Sequence, residues 1–491
     1  CCCCCCCCYC CCVWGIFPVL LRVSTPPFAL LHPAMLRAMA LGFRLMLTLG
    51  LRGAMGASST ASLATSGVSG QRFSGSVIRE VNKEDLSFVG IRRSDLKVIR
   101  EQKSCERWIV VTSIFQPSPA TRKLGEMTRQ GWCYVVVADK NGPPDYDDVE
   151  GVTYLTVERQ RALHFQVMDL LPWRHFGRKN VGFLYAIAHG ARVIYDTDDD
   201  NRLKEARIPI LGLGDVGYDV QKGPFNVSSP AMEKAPGPAG QSQPGLLNPY
   251  PSFQPTCGHI WPRGFPLDHI QAAHTFNRTL TTVLVDRPPA VQQFLADEDP
   301  DVDAIFRLSR PLPCSFRGLP LGEGQPEVMV VPPHFFTPYN AQATVHLYDS
   351  FWGLLLPVTV HGRVSDIWRA YITQKLLWDV GQVLSFTSAH VVHDRVAHDY
   401  LKDFQSESDL YLKATAMVGF LSSWKSDAPT LVERIEQLWA ALYSRGFVEL
   451  DDLKLAQAWI RDLLALGYQF PEIQLGKIMW VEDAGGKKME L

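Results

Sequence analysis

The sequence predicts an α/β fold in which a mostly parallel sheet is flanked by helices. From residue 105 onward, short runs of β-branched and apolar residues alternate with segments of helical periodicity. Polar and acidic residues follow several of the apolar runs. Because ligands of such sheets bind beyond the carboxyl ends of the strands, these residues are candidates for a functional site.

Two strand–helix–strand units support this prediction. "RWIVVTSI" predicts a buried strand that ends near Thr112 and Ser113, "PSPATRKLGEMTRQG" a helix that stops at Gly131, and "WCYVVVADK" a second strand that ends at Asp139. Further along, "VTYL" predicts a short strand, "GRKNVGFLYAIAHG" a helix and "ARVIYDTDDD" another buried strand. This alternation indicates parallel pairing between the strands.

The composition is that of a large folded protein without a dominant charge. The chain has 491 residues, 47% of them hydrophobic, and a formal net charge of -2. A length of this order suggests roughly two to four domains. A near-neutral chain has no global attraction to nucleic acid or to an anionic membrane, so any charge-based function has to be local.

Residues 1–76 are expected to be a targeting segment and a linker. The run "CCCCCCCCYCCC" is interpreted as low-complexity sequence, and the apolar, basic, acid-free stretch after it resembles a signal peptide or signal anchor. An organelle transit peptide is the alternative, because arginines interrupt the apolar stretch. The sequons at Asn226 and Asn277 would permit glycosylation in the secretory pathway.

The remainder divides into an α/β domain, residues 77–424, and a helical C-terminal extension, residues 425–491. The extension is predicted from the helical periodicity of "APTLVERIEQLWAALYSRGFVELDDLKLAQAWIRDLLALGY". Residues 202–265 are rich in Pro, Gly and Ser, which predicts a long loop over the active site or an irregular insertion. The cysteines outside the N-terminal run have no CxxC spacing, so neither a zinc knuckle nor a thioredoxin motif is present.

Four aspartates cluster at the end of the strand predicted from "ARVIYDTDDD": Asp196, Asp198, Asp199 and Asp200. Carboxylates this close repel one another, and a hard divalent cation such as Mg²⁺ or Mn²⁺ would neutralise them. Such a cation uses one or two carboxylates and takes much of its remaining shell from a substrate diphosphate. A solvated acidic loop is the alternative. An EF-hand is excluded, because Asn201 and Arg207 stand where its loop needs Gly and Glu.

Several blocks of sequence, in order, resemble one family. They are "WIVVTSIFQPSPATRKL", "GWCYVVVADKNGPPDY", "LPWRHFGRKNVGFLYAIAHGARVIYDTDDDN", "NPYPSFQPTCGHIWPRGFPLDHI", "DPDVDAIFRLSR" and "LPVTVHGRVSDIWRAYITQKLLWDVG". The blocks resemble the STELLO-type glycosyltransferases, which are distantly similar to the reversibly glycosylated polypeptides, UDP-arabinopyranose mutases. The resemblance implies a GT-A-like fold, a nucleotide-sugar donor and a divalent metal. It also implies a Golgi type II membrane protein associated with the cellulose synthase complex.

The resemblance also suggests roles for the residues at the strand ends. The DxD motif of the family corresponds to Asp196 and Asp198 as metal ligands, with Asp199 as a catalytic candidate. Thr112, Ser113 and Asp139 are expected near the base and ribose of the donor, although Asp139 also suits a turn. Arg178 and Lys179 precede a helix and are candidates for the donor phosphates, with an ordinary basic helix start as the alternative.

Later segments supply the remaining candidates. In "HGRVSDIWRAY", Asp366 is a candidate general base and Arg363 and Arg369 are candidates for substrate binding, while a helix cap is the alternative for Asp366. His393 is a candidate third metal ligand, although many such histidines only face solvent. Asp303 is a minor sugar-binding candidate, and helix capping explains it equally well.

These residues together predict metal-dependent glycosyl transfer from a nucleotide-sugar donor, most simply a UDP-sugar, to a glycan or protein acceptor. The cation, Mn²⁺ or Mg²⁺, would neutralise charge as the nucleotide leaves. Two alternatives stay open: a Golgi assembly factor that keeps the glycosyltransferase fold, and a UDP-sugar mutase that needs no acceptor.

Overall fold

A computed structural model of the chain describes residues 105–213, 223–231, 245–320, 327–395, 398–475 and 480–483. The predicted targeting segment and linker, residues 1–76, lie outside these ranges. Within the described ranges, no helix combines the length and apolar character needed to cross a membrane.

The described chain opens with the β-α-β unit that the sequence predicts. Strand β1, Arg107–Thr112, is followed by helix α1, Pro119–Gly125, which begins after Ser118 because Ser118 and Thr121 each accept the backbone N–H of the other. A 3₁₀ turn then ends at Gly131, whose φ of 81° suits glycine. Strand β2, Cys133–Val137, lies parallel to β1.

The next elements extend this parallel layer on both sides. They are β3, Val152–Leu155; α2, Val157–Arg161; α3, Lys179–Ala188; and β4, Val193–Thr197. Strand β3 lies parallel to β2, and β4 lies parallel to β1 on its other edge. Helix α3 rests directly on the sheet, since a Cβ added to Gly182 would lie 2.7 Å from side-chain atoms of Val110 and Val137.

The later strands make the sheet mixed. They are β5, Asn201–Leu203; β6, Phe225–Pro230; β7, Gly245–Leu246; β8, Leu280–Val285; β9, Val291–Asp297; β10, Val328–Val330; β11, Phe335–Phe336; β12, Ala343–Leu347; β13, Leu384–His393; and β14, Trp480–Asp483. The order of the main sheet among the described residues is β14-β8-β6-β10-β13-β9-β12-β4-β1-β2-β3, and β5 pairs with β13. Strand β12 is antiparallel to both β4 and β9, whereas β13 is parallel to β9. The α/β class is therefore confirmed, with antiparallel pairs beyond the parallel layer β3-β2-β1-β4.

The remaining helices pack on this sheet and include the predicted C-terminal ones. They are α4, Ala304–Ser309; α5, Gly362–Leu377; α6, Tyr400–Ser406; α7, Ser408–Ser423; α8, Leu431–Ser444; and α9, Leu450–Ala465. One hydrophobic cluster joins Trp108 of β1, Trp368 of α5 and Trp459 of α9. The C-terminal helices thus share a core with the sheet.

The described parts of residues 202–265 differ from the predicted long loop. They contain β5, β6 and β7, and β6 pairs along its whole length with β8, from Phe225 opposite Val285 to Pro230 opposite Leu280. "FNVSSP" has little strand character of its own, so its pairing depends on a partner about fifty residues away in sequence. Residues 214–222 and 232–244 lie outside the described ranges.

The cysteines outside the N-terminal run form two disulfides, Cys105–Cys133 and Cys257–Cys314. The first links the residues just before β1 to the start of β2. The second joins segments 57 residues apart in sequence. The spacing of these cysteines excludes a CxxC motif and leaves their pairing open, so the structure supplies information that the sequence pattern lacks.

Candidate active site

The end of β4 carries a buried cluster of charges. Asp196 is fully buried, and its carboxylate lies 2.7 Å from Lys179 Nζ on one side and 2.7 Å from Arg369 Nη1 on the other. Lys179 Nζ also lies 2.9 Å from Asp198 Oδ1 and donates to the carbonyl of Ala341. A lone buried carboxylate would be costly, and the two cations compensate it.

Three predicted site residues lie in this cluster. Asp196 was expected to bind metal, Lys179 the donor phosphates and Arg369 the substrate. All three side chains are buried. Lys179 and Arg369 both pair with Asp196, because strand β4 turns Asp196 toward helices α3 and α5. Lys179 and Arg369 therefore neutralise the buried Asp196 carboxylate. Asp198, which also contacts Lys179, has a partly exposed side chain.

Asp198, Asp199 and Asp200 form the turn after β4, and all three are part-buried. The Ser113 hydroxyl donates to the Asp199 carboxylate, and the Ser118 hydroxyl donates to the Asp199 carbonyl oxygen. Burial raises the pKa of Asp198 to about 7, although Lys179 opposes the shift. Burial likewise raises the pKa of Asp199 to about 6. The turn thus holds crowded carboxylates whose ionised forms favour a nearby cation.

His393, at the end of β13, lies beside the outer member of this turn. Its Nδ1 donates to the carbonyl of Asp299 (2.8 Å), and its Nε2 lies 3.1 Å from Asp200 Oδ2. Burial disfavours protonation of His393, but the Asp200 carboxylate outweighs it and raises the pKa of the imidazole. Burial would raise the pKa of Asp200, yet the bond to His393 holds it below its ordinary value.

The side chains around the turn fit a cation site that a substrate completes. Within the described ranges, no three His, Cys, Asp or Glu side chains are grouped closely enough to hold a metal ion by themselves. Mg²⁺ and Mn²⁺, however, are commonly bound by one or two carboxylates together with substrate phosphates. Asp198 and Asp200 offer hard oxygen ligands of that kind, and His393 stands next to Asp200.

Two cavities meet at this turn. Cavity A, about 330 Å³, is lined by the ends of β1 and β2 and by the segment before α3, including Thr112, Ser113, Asp139, Asn141, Arg174 and His175. Cavity B, about 710 Å³, lies between α1 and the start of α6, and its wall includes Ser118, Asp394, His398, Asp399, Lys402 and Asp403. Phe115, Asp199 and Asp200 line both cavities. The aspartate turn therefore stands where two bound molecules would touch.

Known proteins share similarity with much of this chain. Residues 363–480, from α5 to the first residue of β14, match the family model described as STELLO glycosyltransferases. The chain is 29% identical over 403 residues to "Probable glycosyltransferase STELLO1" of Arabidopsis thaliana, a match that covers 79% of this chain and 49% of that protein. It is 28% identical over 402 residues to "Probable glycosyltransferase STELLO2" of the same plant, covering 80% and 49%.

The chain is therefore similar to the STELLO glycosyltransferases. It spans about half the length of the curated relatives it matches. The segment matched by the family model contains His393 and the cavity B residues Asp394, His398, Asp399 and Lys402, whereas the aspartate turn lies before it. The two relatives match a much larger part of the chain than the family model does.

Three of the predicted donor-site residues line cavity A. Thr112 donates its hydroxyl to the carbonyl of Val137, Ser113 holds Asp199, and Asp139 lies at the end of β2. The Asp139 carboxylate accepts the backbone N–H of Lys140 and of His175 (2.6 and 3.0 Å). Asp139 therefore shapes the turn that follows it and at the same time forms part of the cavity wall.

Four other predicted residues lie outside both cavities. Arg178 is buried, donates to Gln160 Oε1 and stacks 3.9 Å from the ring of Trp173. Asp303 caps α4, accepting from the N–H of Phe306 (2.8 Å) and from Trp261 Nε1 (2.7 Å).

Asp366 and Arg363 also have structural partners. Asp366 lies 2.8 Å from Arg263 and also accepts the N–H of Ala341, and Arg363 pairs with Glu407. Catalysis by Asp366 and substrate binding by Arg178, Asp303 and Arg363 stay predictions, and the structure shows a partner within the protein for each of these side chains. The sequence shows the charge of each residue, but it does not show which other residue forms a hydrogen bond or an ion pair with it in the folded protein.

The structure adds residues that the sequence analysis missed. Arg174 lines cavity A, is exposed, and has a φ of 58°, in the left-handed region that non-glycine residues rarely adopt. His175 follows it on the same wall. In "LPWRHFGR", Arg174 and Arg178 lie on either side of Gly177. This pattern would have justified including Arg174 together with Arg178.

Proposed function

We propose that this chain is a metal-dependent glycosyltransferase of the GT-A type that uses a nucleotide-sugar donor, specifically a UDP-sugar. The observation that supports this proposal most directly is the position of the aspartate turn, Asp198–Asp200, at the shared edge of cavities A and B. The match to the STELLO glycosyltransferase model and the names of the two relatives support the same reaction class.

Cavity A is assigned to the donor. Thr112 and Ser113 are small polar residues at the end of β1 that leave room for a base edge, and Asp139 follows β2. Arg174 stands on the opposite wall and would attract the diphosphate, whereas burial lowers the pKa of the neighbouring His175 and keeps that ring neutral. The cavity volume of about 330 Å³ lies at the lower end of the range for small-molecule sites.

The residues at the turn have separate roles. Asp198 and Asp200, with His393 beside Asp200, would hold Mn²⁺ or Mg²⁺, which supplies positive charge for the leaving diphosphate. Lys179 fixes the Asp198 carboxylate from the protein side. In the transfer, the acceptor hydroxyl oxygen bonds to the anomeric carbon, the bond from that carbon to the diphosphate oxygen breaks, and UDP leaves. Asp199, held by Ser113, takes the hydroxyl proton.

We place this reaction in the Golgi lumen, on a type II membrane protein. The two disulfides support an oxidising compartment, since such bonds are rare in the cytosol. The apolar, basic sequence before residue 56 is of the kind that directs a chain to the secretory pathway. A membrane-enzyme complex such as cellulose synthase is the partner that the family resemblance suggests.

The decisive experiment is a calorimetric titration of UDP and of several UDP-sugars into the purified chain, with Mn²⁺ and with EDTA. Wild type is expected to bind UDP only with the metal, and Asp198→Ala and Asp200→Ala are expected to lose that binding. Asp451→Ala, an exposed aspartate on α9, is the matched control and is expected to bind like wild type. No UDP binding by folded wild type would contradict the enzyme and favour the assembly factor.

Product analysis separates transfer from the mutase alternative. A transferase releases UDP when an acceptor is supplied. A mutase instead changes the ring form of the sugar while UDP stays attached, and it does so without an acceptor. Ring interconversion in the absence of any acceptor would therefore replace the transferase assignment.

A further inference from the structure

Cavity B has more than twice the volume of cavity A and has no assigned ligand so far. We propose that cavity B is the acceptor site and that it takes an uncharged oligosaccharide. This inference rests on the proposed function, because it concerns the second substrate of the same reaction. Three features of the wall support it: its charge, the partners of its carboxylates, and its apolar part.

The carboxylates that line cavity B favour neutral acceptors over anionic ones. Carboxylates line cavity B from Asp199 and Asp200 on one side and from Asp394, Asp399 and Asp403 on the other, whereas Lys402 is the only lysine or arginine among the lining residues. A uronic acid or phosphosugar would present acceptor oxygens to these carboxylates, which can only accept hydrogen bonds when ionised, so most of the described wall offers such an anion no donor. Neutral hydroxyl groups, by contrast, donate hydrogen bonds to carboxylates.

The carboxylates facing cavity B are held from behind by cations. Arg202 donates to both oxygens of Asp394, from Nε at 2.7 Å and from Nη2 at 3.0 Å. Arg395 Nη2 lies 3.0 Å from Asp403 Oδ2. Each carboxylate oxygen has a second lone pair, so these groups keep acceptor capacity toward the cavity while their positions are fixed. Fixed acceptors at several points suit the several hydroxyls of a sugar ring.

The apolar part of the wall suits the C–H face of a sugar. Phe115 is 58% exposed, a large fraction for an aromatic residue, and it lines both cavities. Its backbone is fixed, because its N–H donates to Ser113 Oγ (3.1 Å) and its carbonyl accepts from Tyr146 (2.8 Å). The ring therefore stands between donor and acceptor, next to Asp199. Pro119 and Ala120 continue the apolar surface along α1.

Size also favours an oligosaccharide over a single hydroxyl-bearing side chain. A volume of about 710 Å³ lies in the upper part of the range for sites that enclose an organic ligand. The aspartate turn lines the cavity, and the reacting hydroxyl would be placed beside it. Asp399 and Lys402, at the start of α6, also line the cavity and would contact a further sugar unit.

The test measures direct binding of matched disaccharides to the full chain by saturation-transfer NMR, in the presence of UDP and the diamagnetic cation Mg²⁺. The probes are cellobiose, mannobiose, galactobiose and cellobiouronic acid, the last being cellobiose with one carboxylate. At least one neutral disaccharide is expected to bind, and cellobiose at least about tenfold more tightly than cellobiouronic acid, a ratio equivalent to about 1.4 kcal/mol.

A charge-matched pair of double variants identifies the site. Asp394→Asn/Asp399→Asn removes two carboxylates from cavity B and keeps their shape, and it is expected to weaken neutral disaccharides and to reduce the discrimination against cellobiouronic acid to about threefold or less. Asp427→Asn/Asp451→Asn makes the same change of net charge at exposed positions outside the cavity and is expected to behave like wild type.

The outcomes separate this inference from the proposed function. Loss of UDP binding by wild type counts against the donor site itself. If UDP binds but no disaccharide does, or if cellobiouronic acid binds as well as cellobiose, the acceptor inference is overturned while the donor site stands. Equal effects of the two double variants would also overturn it, because general surface charge would then explain the preference.

Discussion

At the scale of single residues, the interior of this protein depends on a few charges that are neutralised across long sequence distances. Asp196 and Arg369 pair although 173 residues separate them. Lys179 joins the same group and contacts both Asp196 and Asp198. Removal of one partner from such a group leaves an uncompensated buried charge, which costs far more than loss of a surface pair.

Lys179→Met is therefore expected to lower the free energy of unfolding by about 3–5 kcal/mol. It should also weaken metal-dependent UDP binding, because Asp198 loses the cation that fixes it. Urea denaturation followed by tryptophan fluorescence measures the first effect. Lys454→Met, at a half-exposed lysine on α9, is the control and should change stability by less than about 1 kcal/mol. Equal stabilities of the two variants would show that the buried pairing is dispensable.

Asp303 yields a pH-dependent prediction. Burial raises the pKa of the Asp303 carboxyl group to about 6, well above its ordinary value, although hydrogen bonds from Phe306 and Trp261 oppose the rise. The folded state thus binds this proton more tightly than the unfolded chain does. Its contribution to stability is complete below about pH 4 and is lost as the pH rises through about 6.

Asp303→Asn removes this titration. The stability of wild type relative to the variant is expected to fall by about 2–3 kcal/mol between pH 4 and pH 7, because the folded state holds the proton of Asp303 up to a pH of about 6 whereas the unfolded chain releases it near pH 4. Urea titrations of both proteins at the two pH values measure the difference. A difference that does not change with pH would contradict the assignment of a high pKa to this helix cap.

The sequence could predict the location, though not the role, of the candidate residues that follow strand ends. Thr112, Ser113, Asp139 and the aspartate turn could be placed at one edge because parallel strands end together. Arg178, Asp366 and Lys179 could not be judged in this way, since their roles depend on partners such as Gln160, Arg263 and Asp196 that no local pattern reveals. Which charges face a cavity and which face the core is decided by tertiary pairing.

At the scale of elements, local patterns predicted the first half of the sheet and not the second. Strands β1, β2 and β4 have β-branched runs bounded by turn residues, and they lie where the sequence predicted them. Strand β12 lies between β4 and β9 and runs antiparallel to both. Strand β6 likewise pairs with β8, and no property of "FNVSSP" alone indicates that partner.

Helix α3 provides a prediction at this scale. Gly182 allows the helix to lie directly on β1 and β2, since an added Cβ would come within 2.7 Å of Val110 Cγ1 and of Val137 Cγ2. Valine side chains are stiff, so Gly182→Ala is expected to destabilise the protein by about 1–3 kcal/mol despite the higher helix propensity of alanine.

Gly419→Ala is the matched control for that substitution. Gly419 lies in α7, and a Cβ there would have no neighbour within 4 Å. Alanine at this position is expected to stabilise the protein by about 0.5–1 kcal/mol. Thermal unfolding of the two variants should therefore shift in opposite directions, and a stabilising Gly182→Ala would refute the close packing of α3 on the sheet.

At the scale of the whole molecule, the C-terminal helices are part of the main core. Trp459 of α9 is fully buried and donates its indole N–H to the carbonyl of Trp352 (3.1 Å). Trp368 of α5 donates to the carbonyl of Phe447, which lies between α8 and α9. The carboxylate of Asp462 on α9 accepts the N–H groups of Gln166 and Val167, before α3 in the chain.

A fragment that ends at residue 424 is therefore expected to fail to fold by itself. It would expose the apolar surface that α8 and α9 cover and leave buried N–H groups without acceptors. The fragment should bind a hydrophobic dye and lack near-UV circular dichroism. Coexpression of residues 425–491 as a separate chain should restore both signals to those of the intact protein, because the missing surface is then supplied in trans. A cooperatively folded 1–424 fragment would instead show that the helices are an independent appendage, and the aspartate turn could then be studied without them.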